Sequence, residues 1–338
     1  MSARLALITG ATGYIGRHTV DALLAAGWRV RALCRNDEPE LSRRGAQVVR
    51  GDVLLKDSVA RALEDVEAVV HGAGLVSRSF DDATQMLRVH VVGTQHVVGL
   101  ACERGVRRIV HLSTSGTVAV GDDPEMVYRE DDPVPFAHLA RFPYYLSKWL
   151  AERAADDAVR MSGARAHFIT LNPSLALGPG DTRGSSTLDV QRYLKREIPM
   201  VPSGGFSFVD ARDVAATAVA ALEAGQSGER YLLGALNCTW ADFFERMQAV
   251  SGVAGPPVGI TVPKRLTTLG VALLERVAGA LGGSLPVSTL EAEMASCFWY
   301  CDSRKAERQL GFAARDPMAT ILDTVRDLRG EGRRERVI

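Results

Sequence analysis

Residues 5–16 read Leu5-Ala6-Leu7-Ile8-Thr9-Gly10-Ala11-Thr12-Gly13-Tyr14-Ile15-Gly16: a short apolar run, then three glycines at intervals of three. A β-rich run, a glycine turn and a helical pattern (residues 14–26) in direct succession are the opening of a strand–turn–helix unit. In such a turn the missing side chains let backbone amides approach a pyrophosphate at the positive end of a helix. The spacing is G-x-x-G-x-x-G rather than the general G-x-G-x-x-G, so its place after the first strand carries the reading. Gly10, Thr12, Gly13, Tyr14, Ile15 and Gly16 are the candidate cofactor contacts here, and Gly27 is placed to end the helix.

Outward from this turn, β-rich runs alternate with helical patterns. Strands are expected at Leu5–Thr9, Arg29–Cys34, Gln47–Arg50, Ala68–His71, Arg108–Leu112 and His167–Leu171, and helices at Tyr14–Ala26, Met86–Glu103 and Tyr144–Met161. This alternation predicts an α/β fold, a Rossmann-type doubly wound parallel sheet. After about Leu171 the texture turns to loops, as in Asn172-Pro173-Ser174 and Gly178-Pro179-Gly180-Asp181. The division expected is a dinucleotide-binding domain over 1–171, with 206–233 returning to its sheet. A smaller, mostly helical substrate lobe then covers 172–205 and 234–330, with a disordered tail at 331–338.

Length and composition bound the function. At 338 residues the chain has room for two lobes. Lys plus Arg (40) equals Asp plus Glu (40), which leaves no excess charge for a phosphate backbone and argues against nucleic acid as partner. Five cysteines, an odd and sparse set, argue against a disulfide framework and for a reducing compartment. No apolar stretch reaches 18 residues without a charge, so stable membrane insertion is not expected and the default is a cytoplasmic protein. The amphipathic stretch 264–281 is read as a core or lid helix rather than a membrane-surface one.

The second strand ends in Cys34-Arg35-Asn36, where an NAD site would offer an acid to the ribose hydroxyls. Arg35 suits a 2′-phosphate by charge and forked hydrogen bonding, which points to NADP(H). NAD stays open if Asp37 or Glu38 reaches back instead. Asp52 and Val53 after the third strand are candidates for the adenine edge, and Ala73-Gly74 after the fourth for close backbone approach to the cofactor's middle.

Tyr144 and Lys148 stand four apart at the start of a helical pattern and so share one face. The ammonium is expected to lower the phenol's pKa, making Tyr144 an acid toward a carbonyl oxygen receiving hydride and a base in reverse. Upstream, Ser113-Thr114-Ser115 places hydroxyls at the carboxyl edge of the sheet, where open α/β folds bind ligands.

With glycine turn, hydroxyl cluster and Tyr/Lys pair in order, the chain resembles an extended short-chain dehydrogenase/reductase of the epimerase/dehydratase superfamily. Within it, the similarity is to the dihydroflavonol reductase and 3β-hydroxysteroid dehydrogenase-like branch, over nearly the whole chain to about Leu328. The resemblance implies that Gly10, Gly13 and Gly16 form the dinucleotide motif, Asp52 the adenine-side acid and Tyr144 and Lys148 the catalytic pair. Thr114 would be the carbonyl-orienting hydroxyl, with Ser115 the alternative and, like Leu175, a candidate substrate contact. Asn172, Pro173 and Ser174 would touch the nicotinamide end. Dimerisation through the helices 86–103 and 144–161 is likewise implied by resemblance.

Two positions depart from the family. His90 replaces the usual Asn of N-V-x-G-T, and is read as keeping a local hydrogen bond rather than joining a proton relay. Ala119-Val120-Gly121 replaces the tyrosine and glycine common in sugar-nucleotide enzymes. Cys297 and Cys301 are read as packing residues, with no metal site expected. Phe136, Phe142, Trp149, Phe206 and Trp299 are read as core or as walls of an apolar pocket, to which 175–187 would also contribute.

The reading is thus an NADP-preferring oxidoreductase moving hydride between nicotinamide and the carbonyl or secondary alcohol of a largely apolar small molecule. An NAD-dependent sugar-nucleotide epimerase is the enzymatic alternative, and a non-catalytic nucleotide sensor the alternative of another class.

Overall fold

A computed structural model describes residues 4–163, 166–256 and 288–331. The expected helix over 264–281 and the tail beyond Glu331 lie outside these residues. The main sheet has seven parallel strands in the order β3-β2-β1-β4-β5-β6-β9. These are β1 Leu5–Thr9, β2 Arg29–Cys34, β3 Gln47–Arg50, β4 Ala68–His71, β5 Arg108–Leu112, β6 His167–Pro173 and β9 Arg230–Leu233. β1 and β4 are buried along their whole length, as strands covered on both faces must be. One face is covered by the helices Tyr14–Ala25 and Ala211–Ala224, the other by Gly93–Glu103 and Pro143–Ser162. The chain reverses its direction of winding between β1 and β4, and this switch point opens a crevice at the strands' carboxyl ends.

The first turn shows why its glycines are required. Gly10 has φ +77°, and a Cβ there would come within 2.4 Å of the Gly72 carbonyl oxygen after β4. A Cβ on Gly16 would fall 2.0 Å from the Gly10 carbonyl oxygen. Both obstacles are backbone, which cannot swing aside as a side chain would.

A second, smaller sheet corrects one expectation. Phe206–Val209 does not return to the main sheet: β8, Gly205–Asp210, pairs with β7 (Leu175–Leu177), β10 (Leu236–Thr239) and β11 (Phe298–Trp299). All six residues of β8 are buried. Phe206 and Phe208 pack with Trp240, Phe243 and Phe244 in a separate aromatic core. The edge of the main sheet beside β6 is taken by β9 instead. The lobe expected to be mostly helical therefore has a sheet at its centre.

The expected helix over 86–103 is continuous in direction but not in hydrogen bonding. Ala83–Leu87 is α-helical, Arg88–Val92 forms a π turn, and Gly93–Glu103 resumes the α-helix. All five cysteines are buried and unpaired with each other. No helix among the described residues is long and apolar enough to cross a membrane.

Gly16→Ala is expected to destabilise the fold by about 1–3 kcal/mol, the usual cost of forcing atoms into a packed site. Thermal or urea unfolding of the variant checks this, and unchanged stability would show that the turn is not fixed as described.

Candidate active site

The helix Tyr14–Ala25 begins at Gly13 with no side-chain cap and no acidic residue in its first turn. Its leading amides are thus offered to an anion, and the glycine turn fits a dinucleotide's pyrophosphate. The side chains of the turn divide. Ile15 lines a cavity at the carboxyl edge of the sheet, whereas Tyr14 packs against Ala176 and Ala211, so only its backbone faces the turn. The Tyr14 hydroxyl makes no hydrogen bond, and burial with Asp210 nearby raises its pKa.

Arg35 stands exposed at the end of β2, and no described residue pairs with it. Asp52 follows β3 and uses Oδ1 to accept from the Leu54 amide at 2.9 Å. Val53 is buried, and its carbonyl accepts from His96 Nδ1 at 2.9 Å. The Ala73 amide donates to Thr9 Oγ1, and Gly74 lies against His90, which a Cβ would meet at 3.0 Å.

At the carboxyl edge of β5, Thr114 and Ser115 line a cavity of about 460 Å³, together with Tyr144, Pro173, Ser174 and Leu175. Thr114 caps the following turn by accepting from the Gly116 amide at 3.4 Å. The neighbouring hydroxyls are turned inward: Ser113 and Thr117 both donate to Glu152. Asn172 also stays out of the cavity. Its amide donates to the Thr114 carbonyl (3.0 Å), Thr117 Oγ1 (3.0 Å) and Glu152 Oε1 (2.8 Å), so it holds the site from behind.

Lys148 lies one helical turn after Tyr144 and donates to the Leu112 carbonyl at 2.6 Å. Burial lowers its pKa to about 8, against the opposing pull of Glu152. The expectation that Lys148 acidifies Tyr144 is not what this structure shows. Burial, then Tyr145, raises the Tyr144 pKa, because a phenolate removed from water is disfavoured. Three imidazoles surround Lys148. His71 is held down to about 3 and His90 to about 2, and His111 falls well below the ordinary value. Burial is the main cause in each, with Lys148 adding to it. His71 bonds Thr9 and Thr94, while His111 stacks between His71 and Phe168 with neither ring nitrogen bonded.

His90 sits in the π turn and is fully engaged. Ser147 donates to the Tyr144 carbonyl at 2.7 Å, so its oxygen accepts from His90 Nδ1 at 2.8 Å. The Leu75 amide donates to Nε2 at 3.0 Å. These partners assign the neutral Nδ1–H tautomer. They tie the loop after β4 to the start of the Tyr144 helix, with the two rings edge to face at 5.8 Å. The local hydrogen bond expected of His90 is present, and no proton acceptor is left on it for a relay.

Sequence reasoning missed three groups. Glu152 follows Tyr144 and Lys148 at the same interval of four, and that spacing was the available signal. Tyr145 and the pair Arg78–Asp189 also line the cavity. Arg78 is bidentate to Asp189 (3.1 and 2.7 Å) and 3.6 Å from Glu291, which Arg192 meets at 3.1 Å. Phe142, Phe206 and Trp299 line the cavity, while Phe136 and Trp149 pair edge to face elsewhere. Cys297 comes within 4.8 Å of Asp122 and His138, but His138 Nε2 is already engaged with Asp122 at 3.2 Å.

Comparison with known proteins places this arrangement. A profile of the NAD dependent epimerase/dehydratase family matches residues 6–234. The chain is 36% identical over 277 residues to sterol demethylase protein B of Methylococcus capsulatus, covering 80% of each. It is 28% identical over 332 residues to a putative dihydroflavonol 4-reductase of Synechocystis, covering 96% of this chain and 94% of that one. The crystal structure of gox2253 superposes with a TM-score of 0.82 at 27% identity, covering 97% and 99%.

Nitrogen-resolved NMR of His90 is expected to report the Nδ1-protonated tautomer with no titration between about pH 5 and 9. A midpoint inside that range would contradict the assignment and reopen a proton-carrying role.

Proposed function

The chain belongs to the NAD dependent epimerase/dehydratase family and is an NAD(P)-dependent oxidoreductase of CH–OH and C=O groups; we propose that its own reaction is the NADPH-dependent reduction of a largely apolar ketone or aldehyde. One observation carries this reading. Tyr144, Thr114 and Ser115 form the reactive corner of a cavity whose other walls include Phe142, Phe206, Trp240, Phe244, Met294 and Trp299. A sugar nucleotide would bring a diphosphate into that space. The cations that line it, Arg78 and Arg192, are matched by Asp189 and Glu291, which favours a neutral apolar guest. The relative described as a dihydroflavonol 4-reductase supports the same direction.

Bound NADPH supplies the hydride. In this reading Thr114 donates a hydrogen bond that orients the carbonyl oxygen, with Ser115 beside it. Tyr144 delivers the proton to that oxygen: burial holds the phenol in its protonated form, and a neighbouring cation is needed for that proton to leave. Lys148, fixed on the Leu112 carbonyl, is the cation that meets the ribose and offsets the developing phenolate. Glycine amides of the first turn hold the pyrophosphate, and Arg35 reads the 2′-phosphate.

Tyr144→Phe should lower ketone reduction by roughly 10²–10⁴-fold while NADPH still binds, as fluorescence titration would show; near-normal turnover would remove Tyr144 from the reaction. For the wild type, kcat/KM should hold steady at lower pH, where Lys148 is charged, and fall as pH rises through about 8. A rate that climbs through the same range would contradict the assignment of Lys148. Arg35→Asp should shift the NADP-to-NAD preference by about tenfold or more toward NAD. An unchanged ratio of the two kcat/KM values would show that Arg35 does not meet the phosphate.

A further inference from the structure

Tyr145 has no part in the reaction above, yet its ring is held with care. Gly116 lies flat beneath it: a Cβ there would come within 2.3 Å of Tyr145 Cε1. The Trp299 indole packs on it with centroids 4.5 Å apart, while Phe142 and Tyr144 meet it edge-on at 6.2 and 5.1 Å. Other buried tyrosines differ: the Tyr14 hydroxyl is sealed in the core without a partner, whereas two more are hydrogen-bonded. Tyr193 donates to the carbonyls of Phe244 and Val253, and Tyr231 donates to Gln309.

The Tyr145 hydroxyl makes no hydrogen bond to any described residue, and it is not sealed in the core. Packing alone would be served as well by phenylalanine, because a phenol kept from water without a partner costs free energy. The open direction is the cavity, which Tyr145 lines beside Tyr144 and along with Arg78 and Asp189. Burial pushes the phenol up to about 12, so it is neutral and able both to donate and to accept.

We propose that Tyr145 is a specificity-determining residue whose hydroxyl hydrogen-bonds a second oxygen of the substrate, at the same end of the molecule as the carbonyl presented to Tyr144. The substrates favoured are then apolar ketones or aldehydes that carry a neighbouring hydroxyl, keto or ester oxygen. That oxygen is uncharged, since Asp189 and Glu291 already match the cations of the same wall. The proposal rests on the reductase reading and narrows it. A site built to hydrogen-bond an oxygen discriminates strongly against analogues that lack it, because its own polar group is then left unmet.

The test uses matched pairs with NADPH: 2-hydroxyacetophenone against propiophenone, and ethyl benzoylacetate against hexanophenone. Tyr145→Phe keeps the stack on Trp299 and removes only the hydroxyl. Comparing variant with wild type cancels the intrinsic reactivity of each ketone. The ratio of kcat/KM, oxygenated over deoxy, should fall by about tenfold or more in at least one pair. A ratio unchanged within about twofold in both pairs, or a parallel loss for both members, overturns the proposal. If the wild type oxidises NADPH with none of the four, the reductase reading fails on its own. Tryptophan-fluorescence titration of the four ketones into the NADPH-loaded proteins then decides the Tyr145 claim: selective weakening of the oxygenated members supports it, and equal affinities overturn it.

Discussion

Glu152 is a carboxylate almost without water, and the catalytic corner is arranged around it. Its Oε1 accepts from Ser113, Thr117 and Asn172, and its Oε2 accepts from Arg230 at 2.8 Å. The partners come from the end of β5, the turn after it, β6 and β9, while Glu152 itself belongs to the helix Pro143–Ser162. A buried charge of this kind is a poor source of net stability, since desolvation offsets most of the attraction. Leaving one partner behind is what costs dearly. The consequence is geometric: the helix can dock on the sheet in one register, and that register presents Tyr144 and Lys148 at the carboxyl edge. The hydroxyls of Ser113 and Thr117 are committed to Glu152, whereas Thr114 and Ser115, which also line the cavity, make no bond to it.

The main sheet was legible because its central strands β1 and β4 are short, nearly continuous apolar runs, and burial on both faces forces that pattern. Phe206–Val209 carries the same pattern, which records burial but not which sheet provides it. Its misplacement follows from that ambiguity. The π turn at Arg88–Val92 was not legible, because one shifted hydrogen-bond ring leaves helical periodicity almost intact.

The site was legible as residue types and less so as directions. Asn172 lies where expected along the chain, but its side chain points into the core, and a sequence does not say which way a strand's end faces. Tyr14 likewise offers its backbone and not its ring. The pKa of Tyr144 is the instructive case. Spacing shows that Lys148 is near, whereas only packing shows how far both groups are from water, and burial is the larger effect. Tyr145 carried no motif at all. Its interest arises from a glycine 29 positions away that lets the ring lie flat.

Both the proposed reaction and the proposed selectivity depend on one convergence, that of a protonated phenol, an orienting hydroxyl and the cofactor's reactive carbon on a single substrate carbonyl. A crystal structure of the ternary complex with oxidised cofactor and a bound ketone measures it directly. The account predicts the ketone oxygen within hydrogen-bond reach of both Tyr144 Oη and Thr114 Oγ1, with the nicotinamide facing its carbonyl carbon. A nicotinamide bound elsewhere, or a ketone oxygen out of reach of Tyr144, would contradict it.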